Sequence, residues 1–318
     1  MDSRETAFDI LNEEDIRFAI QYPVDIGTWK SYAPYHFTED LEKQRENLLS
    51  LSLSNAYGPI RYIHSKNIQN FETFLENISK EIRIVDTKTV LETEVYYTSK
   101  IEGAKTTRKR TAEIHEGKPI RENDKFSESM IKGNFEAVKL LNLYGNHISE
   151  EKLLKIWRVL TKDCLQNMDI CGPKYRNGEV TVTGSDFKAV PVEEINEKMN
   201  EFISFYESDF LDEIPFVKAG ILHYTFETIH PFCDGNGRLG RLLMNNYLIS
   251  RGIDSAKAVS FSMAIDKNRG LYDGAFVQAE NEYGDITPFL EYMLQAMSNA
   301  YLTAQTVQKN NKAIKETL

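Results

Sequence analysis

Residues 230–241 read HPFCDGNGRLGR, which gathers a titratable base, a carboxylate, a glycine-rich turn and two guanidiniums in one short segment. Gly235, Asn236 and Gly237 let the backbone aim its N–H groups at one point, and a helix starting there adds the positive end of its dipole. These are the makings of a phosphate site. Arg238, Arg241 and Asn245 recur at helical spacing, so two guanidiniums and an amide share one stripe leading away from the turn. Planar guanidiniums grip phosphate oxygens in pairs, which suits a di- or triphosphate better than a single anion. Asp234 is a hard oxygen ligand beside those phosphates, suited to a magnesium ion that keeps several waters. His230 then stands as the nearby group that titrates near neutrality and can act as a base.

Two helices must position this segment. Residues 216–229 (FVKAGILHYTFETI) carry apolar side chains at helical spacing, and the pattern breaks at His230-Pro231 because the residue before proline is pushed out of helical conformation. Residues 238–250 are helical again and stop at Gly252. His223 lies mid-helix among Ile221, Leu222, Tyr224 and Phe226 and reads as a packed histidine, not a catalytic one.

With those residues in view, the segment resembles the Fic (Fido) family, whose HxFx(D/E)GNGRxxR motif is matched at every fixed position by His230, Phe232, Asp234, Gly235, Asn236, Gly237, Arg238 and Arg241. The resemblance implies a mainly α fold, a Fic-type helical core with a small β-hairpin flap, plus a helical N-terminal region. It implies a transferase that moves AMP from Mg-ATP to a Ser, Thr or Tyr hydroxyl of a protein, releasing pyrophosphate. His230 would take the hydroxyl proton, Asp234 would hold Mg2+, and the backbone of Gly235, Asn236 and Gly237 would cradle the α-phosphate. Arg238 would hold the β- and γ-phosphates, Arg241 would reach the γ-phosphate, and Phe232 would anchor the loop in the core. Phosphoryl transfer asks a protein mainly for such positioning and charge neutralisation. The base-reading residues lie outside the motif; Asn245 and Tyr247 are candidates, and transfer of another nucleotide moiety stays open.

Residues 86–103 read as a helix with Asp86 as N-cap and Gly103 as its stop. Its end, Thr98-Ser99-Lys100-Ile101-Glu102-Gly103, is similar to the (S/T)xxxE(G/N) inhibitory motif of Fic proteins that carry their own brake. Thr98 and Glu102, at i and i+4, share one face, and a carboxylate there can pair with Arg241. An Arg241 so held cannot clamp the γ-phosphate, so the enzyme would rest switched off.

Residues 175–191 (YRNGEVTVTGSDFKAVP) alternate and turn as a small hairpin. The resemblance makes this the flap that docks the target by strand addition, with Thr183, Gly184 and Ser185 at its tip.

The expected organisation is an N-terminal helical region over 1–148, a catalytic domain over 149–297 and a C-terminal tail over 298–318. Within the first region, stretches such as 41–50 and 67–84 read as helices, separated by turns near Pro34 and Gly58-Pro59. A net charge of −10 with no long basic run beyond Arg108-Lys109-Arg110 argues against nucleic acid. A polar N-terminus and the lack of any apolar run near ~18 residues argue against a signal peptide or membrane span, so a cytoplasmic setting is expected. Three cysteines, Cys164, Cys171 and Cys233, show no CxxC spacing, and reduced thiols are expected. The expected partner is a protein bearing a hydroxyl side chain, the chain itself included, and a homo-oligomer holding the inhibitory helix is a further candidate. Two other classes of function stand beside the transferase. One is a hydrolase that removes AMP from a modified protein, with Glu102 positioning water; the other is a nucleotide-binding regulator, against which a complete His230, Asp234 and Arg238 argues because binding needs no base.

Overall fold

The computed structural model describes residues 49–56, 58–145, 147–180, 188–279 and 284–317. Its first element follows from alternation. Leucine and serine alternate in LSLSLSN, so Leu51 and Leu53 fall on one face and are buried in strand β1 (Leu49–Asn55), which pairs antiparallel with β2 (Gly58–Tyr62). The helix expected over 41–50 is therefore corrected where it is described, at Leu49 and Ser50, because a period of two is a strand pattern. The turn expected near Gly58-Pro59 is the reversal of this hairpin: Gly58 pairs with Asn55 across it, and Gly58 and Pro59 open β2.

Eleven helices follow among the described residues. Helix α1 (Lys66–Glu81) starts at Ser65, whose hydroxyl accepts from Ile68 N, and buries Ile68, Phe71, Phe74 and Leu75. Helix α2 (Thr87–Ile101) begins as expected at Asp86, whose carboxylate accepts from Thr89 N, and ends before Gly103 at φ +86°. Then come α3 (Arg108–His115), α4 (Lys125–Tyr144) and α5 (Glu150–Leu160). Helices α6 (Ile195–Glu207), α7 (Pro215–Ile229) and α8 (Asn236–Ser250) build the centre. The chain closes with α9 (Phe261–Lys267), α10 (Arg269–Ala279) and α11 (Thr287–Thr317).

Helix α7 is the axis of the core. It is buried on nearly every side, as an apolar-all-round sequence requires, and packs against α6, α8 and α11. Its one cationic side chain, Lys218, is fully enclosed and ends on Ser208 O at 2.6 Å and Asp212 Oδ1 at 2.9 Å. Helix α11 runs straight through position 297, and Tyr301 beyond it packs edge-on against Phe216 and Phe261. The β1–β2 hairpin is the described β structure. The flap tip at Thr183, Gly184 and Ser185 lies outside the described residues, and its described flanks, 175–180 and 188–191, contain no strand.

Candidate active site

The loop between α7 and α8 is shaped by its own residues. His230 caps α7 in the left-handed region at φ 49°, and Gly235 at φ 81° makes the second reversal. A Cβ at Gly235 would also sit 2.8 Å from the Thr161 side chain, so only glycine fits. Asn236 spans the loop: its Oδ1 accepts from Phe232 N at 3.0 Å and its Nδ2 donates to Phe232 O at 2.8 Å. The Asn236 side chain is thus structural, which leaves to the backbone N–H groups of Gly235, Asn236 and Gly237, at the first turn of α8, the part of donors for an anion.

Neighbouring elements lock the loop from below. Phe232 is fully buried and stacks on Trp157 at 4.6 Å, as the anchor role requires, while Trp157 Nε1 donates to Asp234 O at 2.9 Å. Arg176 donates its backbone N–H to Pro231 O at 2.9 Å and its Nε to His230 O at 2.8 Å, and also reaches Val190 O. Sequence reasoning did not single out Trp157 or Arg176, because each acts through backbone carbonyls far away in the chain. Cys171 and Cys233 form a disulfide, which corrects the expectation of reduced thiols. Their spacing of 62 residues carried no signal, since the fold alone brings the 167–172 segment beneath the loop. Cys164 is a free, buried thiol.

His230 has the geometry of a base. Its Nδ1 lies 3.3 Å from Glu227 O, and a carbonyl can only accept, so Nδ1 carries the proton and Nε2 is the basic nitrogen. Burial, opposed by that hydrogen bond, pulls its pKa down to about 4, so the ring is neutral near pH 7. Asp234 accepts from Gln166 N through Oδ2 at 2.9 Å, and its Oδ1 stands 3.5 Å from Arg238 Nη2. No cluster of three or more metal-ligating side chains exists among the described residues. A single carboxylate with a lone pair still open at Oδ1 suits a magnesium ion whose remaining ligands are waters and phosphate oxygens.

The two arginines differ sharply. Arg238 is buried, with weak contacts to Leu160 O at 3.3 Å and Cys164 Sγ at 3.4 Å, and its Nε–H has no acceptor among the described residues. Arg241 is held firmly by α2. Its Nε donates to the Thr98 hydroxyl at 2.9 Å, and its Nη2 donates to Thr98 O at 3.2 Å and Glu102 Oε1 at 2.7 Å. Burial raises the Glu102 pKa, but the charge and hydrogen bond of Arg241 outweigh it and leave the carboxyl below its ordinary range. The pair expected from residue spacing is present, and Gly237 makes room for it: a Cβ there would lie 2.4 Å from Glu102 Oε1.

Further along α8, Asn245 shares with Arg238, Arg241 and Thr98 the wall of a cavity of about 430 Å³. The stripe read from the sequence is therefore real, but Asn245 faces the space behind α2 and not the loop's turn. Tyr247 is fully buried and donates to Asp212 Oδ1 at 2.8 Å, which places it in the core. His223 is enclosed as expected, with Nε2 2.8 Å from Tyr272 OH. Beside it Glu227 was missed: burial pushes its carboxyl up to about 8, and Oε1 has no partner among the described residues.

Comparison with known proteins bears on this site. A family model described as the Fic/DOC family matches residues 147–248, which include the whole loop. Among curated relatives, the protein adenylyltransferase Fic of Nematostella vectensis is 28% identical over 67% of this chain and 49% of its own length. The protein adenylyltransferase fic-1 of Caenorhabditis elegans is 27% identical over 68% of this chain and 42% of its own. The chain thus spans about half, or less, of the length of these relatives. A Fic family protein from Desulfovibrio desulfuricans has the same fold, with a TM-score of 0.67 at 22% identity over 78% of this chain and 76% of that one. Fic-1 from C. elegans superposes with a TM-score of 0.61 at 18% identity over 94% and 83%.

Proposed function

Residues 147–248 are a Fic/DOC family domain, and from that premise we propose that the protein moves AMP from ATP onto a hydroxyl side chain of a protein. The observation that carries this reading is the tautomer of His230, because a regulator that only bound nucleotide would need no oriented, neutral base beside an anion cradle. Adenylyltransferase is also the activity named for the relatives from N. vectensis and C. elegans.

In this reading the target hydroxyl oxygen forms a bond to the α-phosphorus and the bond to pyrophosphate breaks. His230 Nε2 takes the hydroxyl proton. The backbone N–H groups at Gly235, Asn236 and Gly237 face the α-phosphate, and the unsatisfied Arg238 Nε–H is a ready donor for the phosphates beyond it. Asp234 Oδ1 would hold Mg2+, which supplies neutralisation of phosphate charge. Glu102 restrains the enzyme by holding Arg241, the guanidinium that the γ-phosphate needs.

A second reading, removal of AMP by water, has one observation in its favour. Glu102 Oε1 lies against Gly237 in the cradle, where a carboxylate could orient a water. The deciding experiment follows AMP incorporation by intact mass for wild type, Glu102→Gly and Glu102→Gly/His230→Ala with Mg-ATP, using the chain itself and a cell lysate as acceptors. Labelling confined to Glu102→Gly supports both base and brake. If none of the three labels while nucleotide binds, transfer is refuted, and release of AMP from labelled protein is measured next.

A further inference from the structure

The cavity behind α2 shares Thr98, Arg238 and Arg241 with the chemistry proposed above, but His230, Asp234, Gly237 and Glu102 are absent from its walls. At about 430 Å³ it falls within the size range of small-molecule sites. Leu91 of α2, Val138 of α4, and Leu242 and Ile249 of α8 supply an apolar lining, with Thr98 and Asn245 as polar points. Close packing is the rule in protein interiors, so a gap this large between the proposed brake helix and the catalytic helix is a departure from it.

Two observations define what fits. The first is an orphan: Asn245 Oδ1 is shut away from solvent with no hydrogen-bond partner among the described residues. An unmet acceptor costs about 1–3 kcal/mol, which a ligand N–H would recover. The second is charge. Every charged side chain bordering the cavity already has a partner: Lys88 has Glu116, His115 has Glu92, and Glu94 has Ser260 and Ser262. Lys257 has Asp254, Arg238 has Asp234, and Arg241 has Glu102. An ionic ligand would have to displace one of these partners and would lose its hydration on entry.

We propose that this cavity is a second ligand site, for a small neutral molecule with an aromatic or branched apolar body and an amide-type N–H that donates to Asn245. Helix α2 supplies both a cavity wall and the Thr98 and Glu102 contacts to Arg241. A ligand that fits this arrangement favours it over any in which α2 withdraws, so occupancy holds Arg241 away from nucleotide. That consequence, unlike the site itself, rests on the transferase reading.

The test uses benzamide as probe and methyl benzoate, which keeps the ring and carbonyl but lacks the N–H, as control. Binding to the full chain is read by saturation-transfer NMR at the millimolar concentrations suited to such small fragments. Wild type should bind benzamide severalfold better than the ester, Asn245→Leu should lose that preference, and Leu242→Trp should lose both ligands by filling the space. Val138→Phe, which fills it from α4, repeats the arm if Leu242→Trp does not fold. Absence of benzamide binding, equal binding of amide and ester by wild type, or undiminished binding by the filled variants each overturns the site. In parallel, bound benzamide should weaken Mg-ATP binding by wild type severalfold and leave binding by Glu102→Gly unaffected. Nucleotide affinity that ignores bound benzamide refutes the coupling alone, and selective benzamide binding with no AMP labelling by any variant refutes the transferase reading while the site stands.

Discussion

The 230–238 loop and the α2–α8 contact lie side by side and are held by opposite means. The loop is satisfied from within: Asn236 closes it on Phe232, Trp157 and Arg176 cap its carbonyls, and the Cys171–Cys233 disulfide ties it down. Apart from the Arg176 guanidinium these are neutral hydrogen bonds, and they end on the loop's own backbone. The contact instead rests on a guanidinium whose side chain is 2% exposed and whose anion, Glu102, comes from 139 residues away. A buried cation demands an anion but not a particular one. Such a contrast marks the loop as a platform, whereas in the proposed function the Glu102 contact is exchangeable, because a phosphate takes its place on Arg241.

The comparison can be broken at the platform first. Trp157→Ala removes the ring stacked under Phe232 and the donor to Asp234 O, and should cost about 3–5 kcal/mol in urea unfolding, with activity falling alongside. A variant as stable as wild type would mean the loop is held some other way. Replacing Cys171 and Cys233 by serine frees a span of 62 residues and should cost about 2–4 kcal/mol by the same measurement. At the brake the signature differs. Glu102→Gly strands Arg241 and should lower apo stability by about 1–3 kcal/mol, less than for a fully enclosed pair because Glu102 is 29% exposed. Mg-ATP should then raise its Tm more than it raises that of wild type; equal shifts would show that phosphate does not replace the carboxylate.

Between the two regions lies Glu227, whose folded-state pKa of about 8 stands above its ordinary 4.5. The folded chain therefore binds the extra proton, so this contribution to stability is full below pH 4.5 and is lost as pH rises through about 8. Tm should fall over that window, and Glu227→Gln should flatten the fall. The smallest effect is expected from Thr98→Val, which deletes one hydroxyl acceptor of Arg241 and should weaken the brake by about 1 kcal/mol, seen as a severalfold rise in labelling.

The loop was legible because its parts are contiguous: base, carboxylate, glycines and arginines sit in one segment, and the helices on either side carry clear periodicity and stops. Helix α2 was legible for the same reason, with Asp86 and Gly103 marking its ends. What escaped notice was either short or distant. The β1 strand hid because six residues of Leu/Ser alternation abut a polar stretch that reads as helix, and Arg176, Trp157 and the disulfide hid because their partners are backbone carbonyls or a sulfur far away in sequence.

By itself, then, the chain's order of residues determined which candidate groups stand together and which local turns and helices present them, because caps, glycines and helical spacing act over a few residues. Tertiary structure alone decided how they meet. It set Glu102 on Arg241, put Asn245 in a cavity wall, joined Cys171 to Cys233 and buried Glu227 Oε1 with no hydrogen-bond partner among the described residues. Pairings across many tens of residues follow from how helices pack around α7, and burial, which sets both the His230 and Glu227 proton affinities, is a property of that packing.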